Sequence, residues 1–366
     1  MKVGIITYHC AHNCGAMLQS YALQETIKKL GYNVEIVDYR PEIITQGYKI
    51  RLRRSNNLIK DSIYFLLTYH KQKKKYKLFE EFESNYFCLS EKKYICDIDF
   101  LEFKSKYNTL VCGSDQIWNM DLNGESPVYF LDFDDFYGKR ISYAASIGTS
   151  KIKDKYIEKT KFYIKNFDFI SLREKQGKKE IQKLTTKNVE QVLDPVFLLE
   201  ENEWNNLENK EMGINYDYAI IYVMEENPLI QEISKFISEE LKLKVICISN
   251  SIRNKKYIYK NLSNVGPKEF VSLIKNAKLV CTNSFHGTCL SIIFRKQFLS
   301  IAHSTLNSRI ESVLDIFNLK EHCINTIPSS KIEFEKIINS NLDKVELILS
   351  QERKKSLEFL EDSLKN

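Results

Sequence analysis

A histidine in a short polar loop is the clearest candidate for chemistry in this sequence. Residues 279–300, LVCTNSFHGTCLSIIFRKQFLS, are typical of an apolar strand, a polar loop and an apolar helix. In open α/β sheets, ligands bind beyond the carboxyl ends of strands, where helix N-termini offer N–H groups to anions. His286 and Gly287 fall at this place, and histidine can exchange a proton near neutral pH. The pattern predicts an anion site with an acid–base residue.

A second polar loop lies near the start of the chain. Residues 9–15, HCAHNCG, separate a predicted strand from a helix at 16–30, and the next strand completes a βαβ unit. A glycine-containing loop before a helix can hold an anion, so Asn13 and Gly15 are either ligand contacts or ordinary turn residues. The two His and two Cys of this loop lack the spacing of a metal site, and we expect no metal there.

The loop GSDQIWN, residues 113–119, directly follows another predicted strand. Asp115 is either an acid, a base or a hydroxyl-binding group, or it caps a following helix. Trp118 either stacks on a sugar or packs in the core. Gln116 adds a further polar side chain to this loop.

Two more predicted strands, RISYAASIG and FISLRE, also end in polar residues. The first contains Ser146 among the polar residues at its end. The second contains Arg173, whose side chain suits bidentate binding of a carboxylate or phosphate. The alternative is a structural ion pair between Arg173 and Glu174.

Length and composition limit the possible architectures and functions. The 366 residues predict two α/β domains, at 1–205 and 206–366, joined through a polar stretch. The net charge of +6 is spread along the chain, which argues against a nucleic-acid partner. Nine irregularly spaced cysteines and no visible signal peptide predict a cytoplasmic protein. Dinucleotide fingerprints, P-loops and zinc-type cysteine pairs do not occur in the sequence.

The segment 49–90 is predicted to be helical and is strongly basic, with KQKKKYK at 71–77. One interpretation is a helix face that is simply solvated. The other is a surface that meets anionic lipid or a lipid-linked substrate at the membrane.

Several of these motifs, in this order, resemble the polysaccharide pyruvyl transferase family over nearly the whole chain. The motifs are GIITYHCAHNCGAMLQSYALQ, LGYNVEIVDYRP, VCGSDQIWN, SYAASIG, SLREKQG, LDPVFLL and TNSFHGT, followed by the helix that starts at Arg309. The resemblance implies a glycosyltransferase-B-like fold, in which two Rossmann-like domains face each other across a cleft. It also implies transfer of pyruvate from phosphoenolpyruvate onto two hydroxyls of a sugar, as a ketal, in cell-surface polysaccharide biosynthesis. Phosphoenolpyruvate is then a co-substrate, and no cofactor is needed.

The resemblance places Arg173 and His286 at the donor. In one branch of the family an arginine stands two residues before this histidine, whereas this chain has Ser284 and resembles an SFHG-type branch. Arg309 or Arg295 would then substitute for that arginine.

The roles that follow are a general acid for His286 and a base or sugar-binding group for Asp115. The expected donor-binding residues are Arg173, Arg309, Ser284, Gly287, Asn13 and Gly15, and the expected acceptor-binding residues are Gln116, Trp118 and Ser146. The acceptor is a nucleotide- or lipid-linked sugar, and the oligomeric state stays open. Two other hypotheses are a glycosyltransferase that uses a nucleotide sugar and a non-catalytic protein that binds glycans or anions.

Overall fold

The computed structural model describes most of the chain. The described residues are 1–50, 58–96, 106–133, 136–209, 212–225, 229–249, 256–302, 307–328, 330–339 and 342–365. Residues 51–57 of the predicted basic segment and residues 210–211 of the polar stretch between the predicted domains lie outside them. In the described ranges, every helix is too short or too polar to cross a bilayer.

The first half of the chain forms a seven-stranded parallel sheet with helices between the strands. Its elements are β1 (Lys2–Ile6), α1 (Cys14–Lys29), β2 (Asn33–Tyr39), α2 (Glu42–Thr45), α3 (Leu58–Tyr86), β3 (Leu89–Tyr94), β4 (Thr109–Cys112), α4 (Met120–Asn123), β5 (Lys139–Ala145), α5 (Ile157–Ile164), β6 (Phe169–Leu172), α6 (Lys175–Gln182) and β7 (Val189–Gln191). The strand order is β3-β2-β1-β4-β5-β6-β7. Strand order therefore reverses between β1 and β4.

The second half forms a six-stranded parallel sheet. Its elements are α7 (Glu201–Trp204), β8 (Tyr218–Tyr222), α8 (Leu229–Glu239), β9 (Lys244–Ile248), β10 (Lys260–Leu262), α9 (Pro267–Asn276), β11 (Leu279–Thr282), α10 (Phe285–Ile293), β12 (Gln297–Ile301), α11 (Asn307–Ile316), β13 (Cys323–Ile324), α12 (Lys331–Asn339) and α13 (Leu342–Lys365). The order β10-β9-β8-β11-β12-β13 reverses between β8 and β11. Both sheets are doubly wound, and ligands bind at such reversals.

The sequence explains where the helices next to the reversals begin. Asn13 caps α1, because its side-chain oxygen accepts hydrogen bonds from the N–H groups of Gly15 and Ala16. Ser284 caps α10 in the same way, with its Oγ accepting from the N–H of Gly287 at 3.3 Å. Both helices then run through the apolar core that the two sheets share.

The C-terminal helix α13 packs against elements of the first sheet. The Ser356 hydroxyl accepts a hydrogen bond from the Leu193 N–H at 2.9 Å, and Lys139 Nζ donates to the Leu364 carbonyl at 3.0 Å. The helix thus contacts the first half of the chain, while the boundary at 205/206 stays a prediction.

A short 3₁₀ turn, Pro195–Phe197, follows the strand β7. One local prediction was wrong. Helix α10 begins at Phe285 rather than at Thr288, because Ser284 supplies its cap. His286 is therefore a helical residue in the first turn of α10, not a loop residue.

Candidate active site

Residues from four separate segments meet where the strand order of the two sheets reverses. Ser114 and Asp115 follow β4, Arg173 follows β6, Asp194 follows β7, and His286 follows β11. Hydrogen bonds and ion pairs connect these side chains. The predicted His286, Arg173 and Asp115 thus lie in one site.

Asp194 is the centre of this cluster, and the sequence analysis missed it. Its buried carboxylate oxygen Oδ2 accepts hydrogen bonds from Ser114 Oγ at 2.6 Å and from Arg173 Nη1 at 2.8 Å. The same oxygen lies 3.6 Å from His286 Nε2. Burial alone would raise the pKa of Asp194, but the charge of His286 and the contacts with Arg173 and Ser114 hold that pKa well below its ordinary range. Asp194 is therefore an ionised group beside the histidine.

Arg173 is almost fully enclosed, with 1% of its side chain exposed. Its Nε donates to Glu174 Oε1 at 2.7 Å, so the structural ion pair with Glu174 is present. Burial would lower the pKa of Arg173, but the carboxylates of Glu174 and Asp194 raise it above its ordinary value. Nη2 lies 3.7 Å from Asp115 Oδ1 and has no hydrogen-bond partner among the described residues. This one nitrogen is left to bind a ligand.

His286 lies beside Asp194 and packs against the start of α1. Its side chain is 9% exposed, and its Nε2 has no hydrogen-bond partner in the part of the chain that the structure describes. The ring packs directly on Gly15, where an added Cβ would lie 2.1 Å from Nδ1. Gly15 therefore provides space for the imidazole.

The N–H groups of the four residues predicted at the two helix N-termini donate hydrogen bonds within the chain. The Asn13 side chain already accepts from the N–H of Gly15, at 2.9 Å, and Ser284 Oγ accepts from the N–H of Gly287. These four residues, expected at the donor, instead perform capping and packing roles. The prediction that the N–H groups of these four residues contact an anion is therefore corrected, because each of these N–H groups already donates a hydrogen bond within the chain.

Arg309, in the first turn of α11, is the remaining cation of the site. Its Nε is buried without a hydrogen-bond partner in the described ranges. Burial lowers the pKa of Arg309, and the nearby charge of Arg173 lowers it further. Arg295, the other arginine considered, pairs with Glu201 and Glu346 on the surface and does not belong to this site.

Asp115 has a strained backbone, with φ at +75°. Its Oδ1 accepts from the Gln116 N–H at 2.9 Å and faces Arg173 Nη2. The alternative helix-cap role is wrong, because Asn119 caps α4 by accepting from the N–H of Asp121. A strained carboxylate next to an unpartnered guanidinium nitrogen is compatible with a role in binding or proton transfer.

The acceptor-binding predictions need correction for two of three residues. Trp118 is a core residue, since its ring stacks on Phe130 at 5.3 Å and its indole N–H donates to the Tyr129 carbonyl. Ser146 is fully buried, and its Oγ accepts from the Gly148 N–H at 3.0 Å. Neither side chain can contact a sugar in this arrangement. Gln116 is partly exposed and remains a candidate.

A sequence profile of the family described as polysaccharide pyruvyl transferase matches residues 13–305 of this chain. The chain belongs to the polysaccharide pyruvyl transferase family. All the connected side chains described above lie within the matched residues, while all of α11, which carries Arg309, and all of α13 lie beyond them. Membership of the SFHG-type branch stays a prediction. A comparison with curated protein sequences found no match.

Solved structures resemble this family member in fold. UDP-GlcNAc 2-epimerase from Methanocaldococcus jannaschii aligns over 94% of this chain and 93% of its own, with 14% identity and a TM-score of 0.51. The glycosyltransferase SnogD from Streptomyces nogalater aligns over 98% of this chain and 97% of its own, with 10% identity and a TM-score of 0.46. The predicted fold, two Rossmann-like domains in a glycosyltransferase-B-like arrangement, is confirmed.

Proposed function

We propose that this chain transfers pyruvate from phosphoenolpyruvate onto two hydroxyls of a sugar, forming a cyclic ketal during cell-surface polysaccharide biosynthesis. One observation carries the proposal. In a member of this family, three buried cationic or titratable nitrogens lack hydrogen-bond partners among the described residues: Arg173 Nη2, Arg309 Nε and His286 Nε2. Buried polar groups are normally paired, so unpaired ones at a strand-order reversal favour an anionic ligand.

The charges around the two arginines indicate which group of the donor each arginine binds. Arg173 faces the carboxylates of Glu174, Asp194 and Asp115, so most of its charge is already compensated. Arg309 is affected by the charges of Arg173, Asp115 and Glu174, but its buried Nε has no hydrogen-bond partner among the described residues, so it is the less compensated cation. We assign the phosphate of the donor to Arg309 and its carboxylate to Arg173 Nη2, because the more highly charged group needs the freer cation.

Proton transfer is assigned to His286 and Asp115. Protonated His286 gives its Nε2 proton to the methylene carbon of the enol, which leaves a positive centre at the adjacent carbon. One sugar hydroxyl attacks that centre and gives its proton to Asp115, from which it returns to His286. The second hydroxyl displaces phosphate, and its proton leaves on that phosphate. The carboxylate of Asp194 lies 3.6 Å from Nε2, the nitrogen that gives the proton in the first step.

The proposed acceptor is a nucleotide- or lipid-linked sugar, and the proposed location is the cytoplasm beside the membrane. Gln116 is the candidate acceptor contact that the structure leaves partly exposed. Phosphoenolpyruvate enters as a co-substrate, and the proposed mechanism uses side chains of this chain alone.

Ligand-dependent thermal unfolding tests the donor. A ligand that binds only the folded state raises the unfolding midpoint. We expect phosphoenolpyruvate to raise the midpoint of the wild type and to have a much smaller effect on Arg309→Gln. Arg295→Gln is the matched control, because it removes an arginine from the surface, and it should respond like the wild type.

Two outcomes contradict the proposal. Protection by UDP or ADP without protection by phosphoenolpyruvate would favour a nucleotide-sugar glycosyltransferase. Equal protection of Arg309→Gln and wild type would remove Arg309 from the donor site.

A further inference from the structure

The outer face of helix α3 exposes a row of large apolar side chains. Ile63, Leu66 and Leu67 are 53%, 75% and 67% exposed. Their spacing of three and four residues places them on one side of the helix. The opposite side of α3 carries Phe79 and Phe82, which are buried in the core. Three exposed aliphatic residues on one helix face are unusual for a surface that contacts only water.

Basic side chains follow on the next turns of the helix, with Lys74 and Lys77 on the same face and Lys71 and Lys73 on its two sides. Lys71, Lys73, Lys74 and Lys77 are exposed. Residues 62–79 contain five lysines and no acidic residue. An apolar row followed by lysines matches the structure of a lipid surface, in which acyl chains lie beneath anionic headgroups. The same lysines would repel their counterparts in a second copy packed face to face, which argues against a dimer here.

We propose that this outer face of α3 binds the surface of an anionic phospholipid membrane. The aliphatic side chains enter the boundary between headgroups and acyl chains, and the lysines contact the phosphates. The helix lies along the surface, since it is too polar to cross a bilayer. This binding is independent of the transfer reaction.

Helix α3 is connected to the active site through the segment that contains His12. His12 stacks on Phe79 of α3, with the ring centroids 5.1 Å apart, and it also contacts Tyr76. The same loop continues to Asn13 and Gly15, and Gly15 contacts His286. The segment from His12 to Gly15 thus connects α3 to His286, and a membrane bound to the outer face of α3 would hold the active site near a lipid-linked acceptor, a step that rests on the proposed function.

Vesicle co-sedimentation of the full chain tests the proposal. The two probes are vesicles of phosphatidylcholine alone and vesicles of phosphatidylcholine and phosphatidylglycerol in equal parts. We expect binding to the anionic vesicles, weakened by salt. Leu66→Ser/Leu67→Ser and Lys73→Gln/Lys74→Gln should each weaken it on the order of 10-fold, since a lysine near an anionic surface and a buried aliphatic group contribute comparably.

Matched controls come from other exposed helices. Ile332→Ser on α12 and Lys354→Gln/Lys355→Gln on α13 alter similarly exposed residues and should bind like the wild type. Equal binding to both vesicle types, or unchanged binding of the α3 variants, would overturn the proposal. So would a dimer of the wild type that Leu66→Ser/Leu67→Ser converts to a monomer without any vesicle binding.

The phosphoenolpyruvate-induced midpoint shift, measured on the same proteins, separates this proposal from the proposed function. The α3 variants should keep the wild-type shift. If the wild type binds anionic vesicles and shows no shift, the membrane proposal stands and the donor assignment fails. If the wild type shows the shift and binds no vesicles, the donor assignment stands and the membrane proposal fails.

Discussion

Replacing Gly15 with alanine should damage the active site while leaving the protein folded. The added Cβ would lie 2.1 Å from His286 Nδ1 and 2.4 Å from Cγ. An ordinary contact needs about 3.4 Å, so the imidazole must move by about 1.3 Å. The added Cβ would also lie 2.8 Å from the Cβ of His286, which rotation about χ1 does not move, so the first turn of the buried helix α10 must shift together with the imidazole, away from Asp194.

The expected loss of activity is larger than the expected loss of stability. Displacing a catalytic group by about 1 Å costs on the order of 100-fold in rate. Overpacking costs roughly 1–3 kcal/mol, and the higher helix propensity of alanine offsets up to about 1 kcal/mol of that. The free energy of unfolding should therefore fall by no more than about 2 kcal/mol.

The assay is phosphate release from phosphoenolpyruvate in the presence of acceptor, with urea unfolding of the same samples. Gly47→Ala is the matched control, because a Cβ at Gly47 meets no atom within 4 Å. Its rate should equal that of the wild type. A folded Gly15→Ala protein with a wild-type rate would refute the reasoning, since His286 could then not be the group that transfers the proton from this position.

Three further predictions follow from the same contacts. Asp194→Asn should lower the free energy of unfolding, measured by urea denaturation, by about 3 kcal/mol. The reason is that Arg173 and His286 lose a buried anion. An unchanged free energy of unfolding would contradict the ion-pair geometry. Because folding lowers the pKa of Asp194, its ionised carboxylate stabilises the folded protein. This stabilisation is fully present above the ordinary carboxyl pKa of about 4, and it is lost as the pH falls through the lowered pKa of the folded state. Acid titration should thus destabilise the wild type more than Asp194→Asn. Trp118→Phe should cost about 1 kcal/mol, for one lost hydrogen bond, with no change in the KM for acceptor; a raised KM would return Trp118 to the acceptor site.

The sequence predicted the fold well because its apolar runs and helix caps are local signals. Strands β1, β4 and β11 and helix α9 were recognisable from runs of buried residues and from Pro267 at a helix start. Strands β3, β10 and β13 were missed, since they read LSEKKY, KNL and CI and are polar or very short. Short edge strands depend on tertiary pairing rather than on their own pattern.

The site was predicted less completely, because its geometry is not a local property. Asp194 stood in an Asp-Pro pair that is typical of a turn, and it does cap the turn at Pro195–Phe197 through its Oδ1. Its second oxygen meets Ser114, Arg173 and His286, which are distant in sequence. Conversely, Asn13 and Ser284 were predicted to contact an anion. Their side chains instead accept hydrogen bonds from the N–H groups of Gly15 and Gly287, which an anion would need.

Product analysis with isotopically labelled phosphoenolpyruvate tests the central claim most directly. The wild type and His286→Ala are incubated with donor and acceptor, and NMR follows the labelled methyl group while phosphate is measured. The account predicts a ketal methyl signal that grows in equal amount with phosphate in the wild type. In a folded His286→Ala protein the rate should fall between about 100- and 10,000-fold. Equal rates in both proteins, or sugar transfer from a nucleotide sugar without consumption of phosphoenolpyruvate, would contradict it.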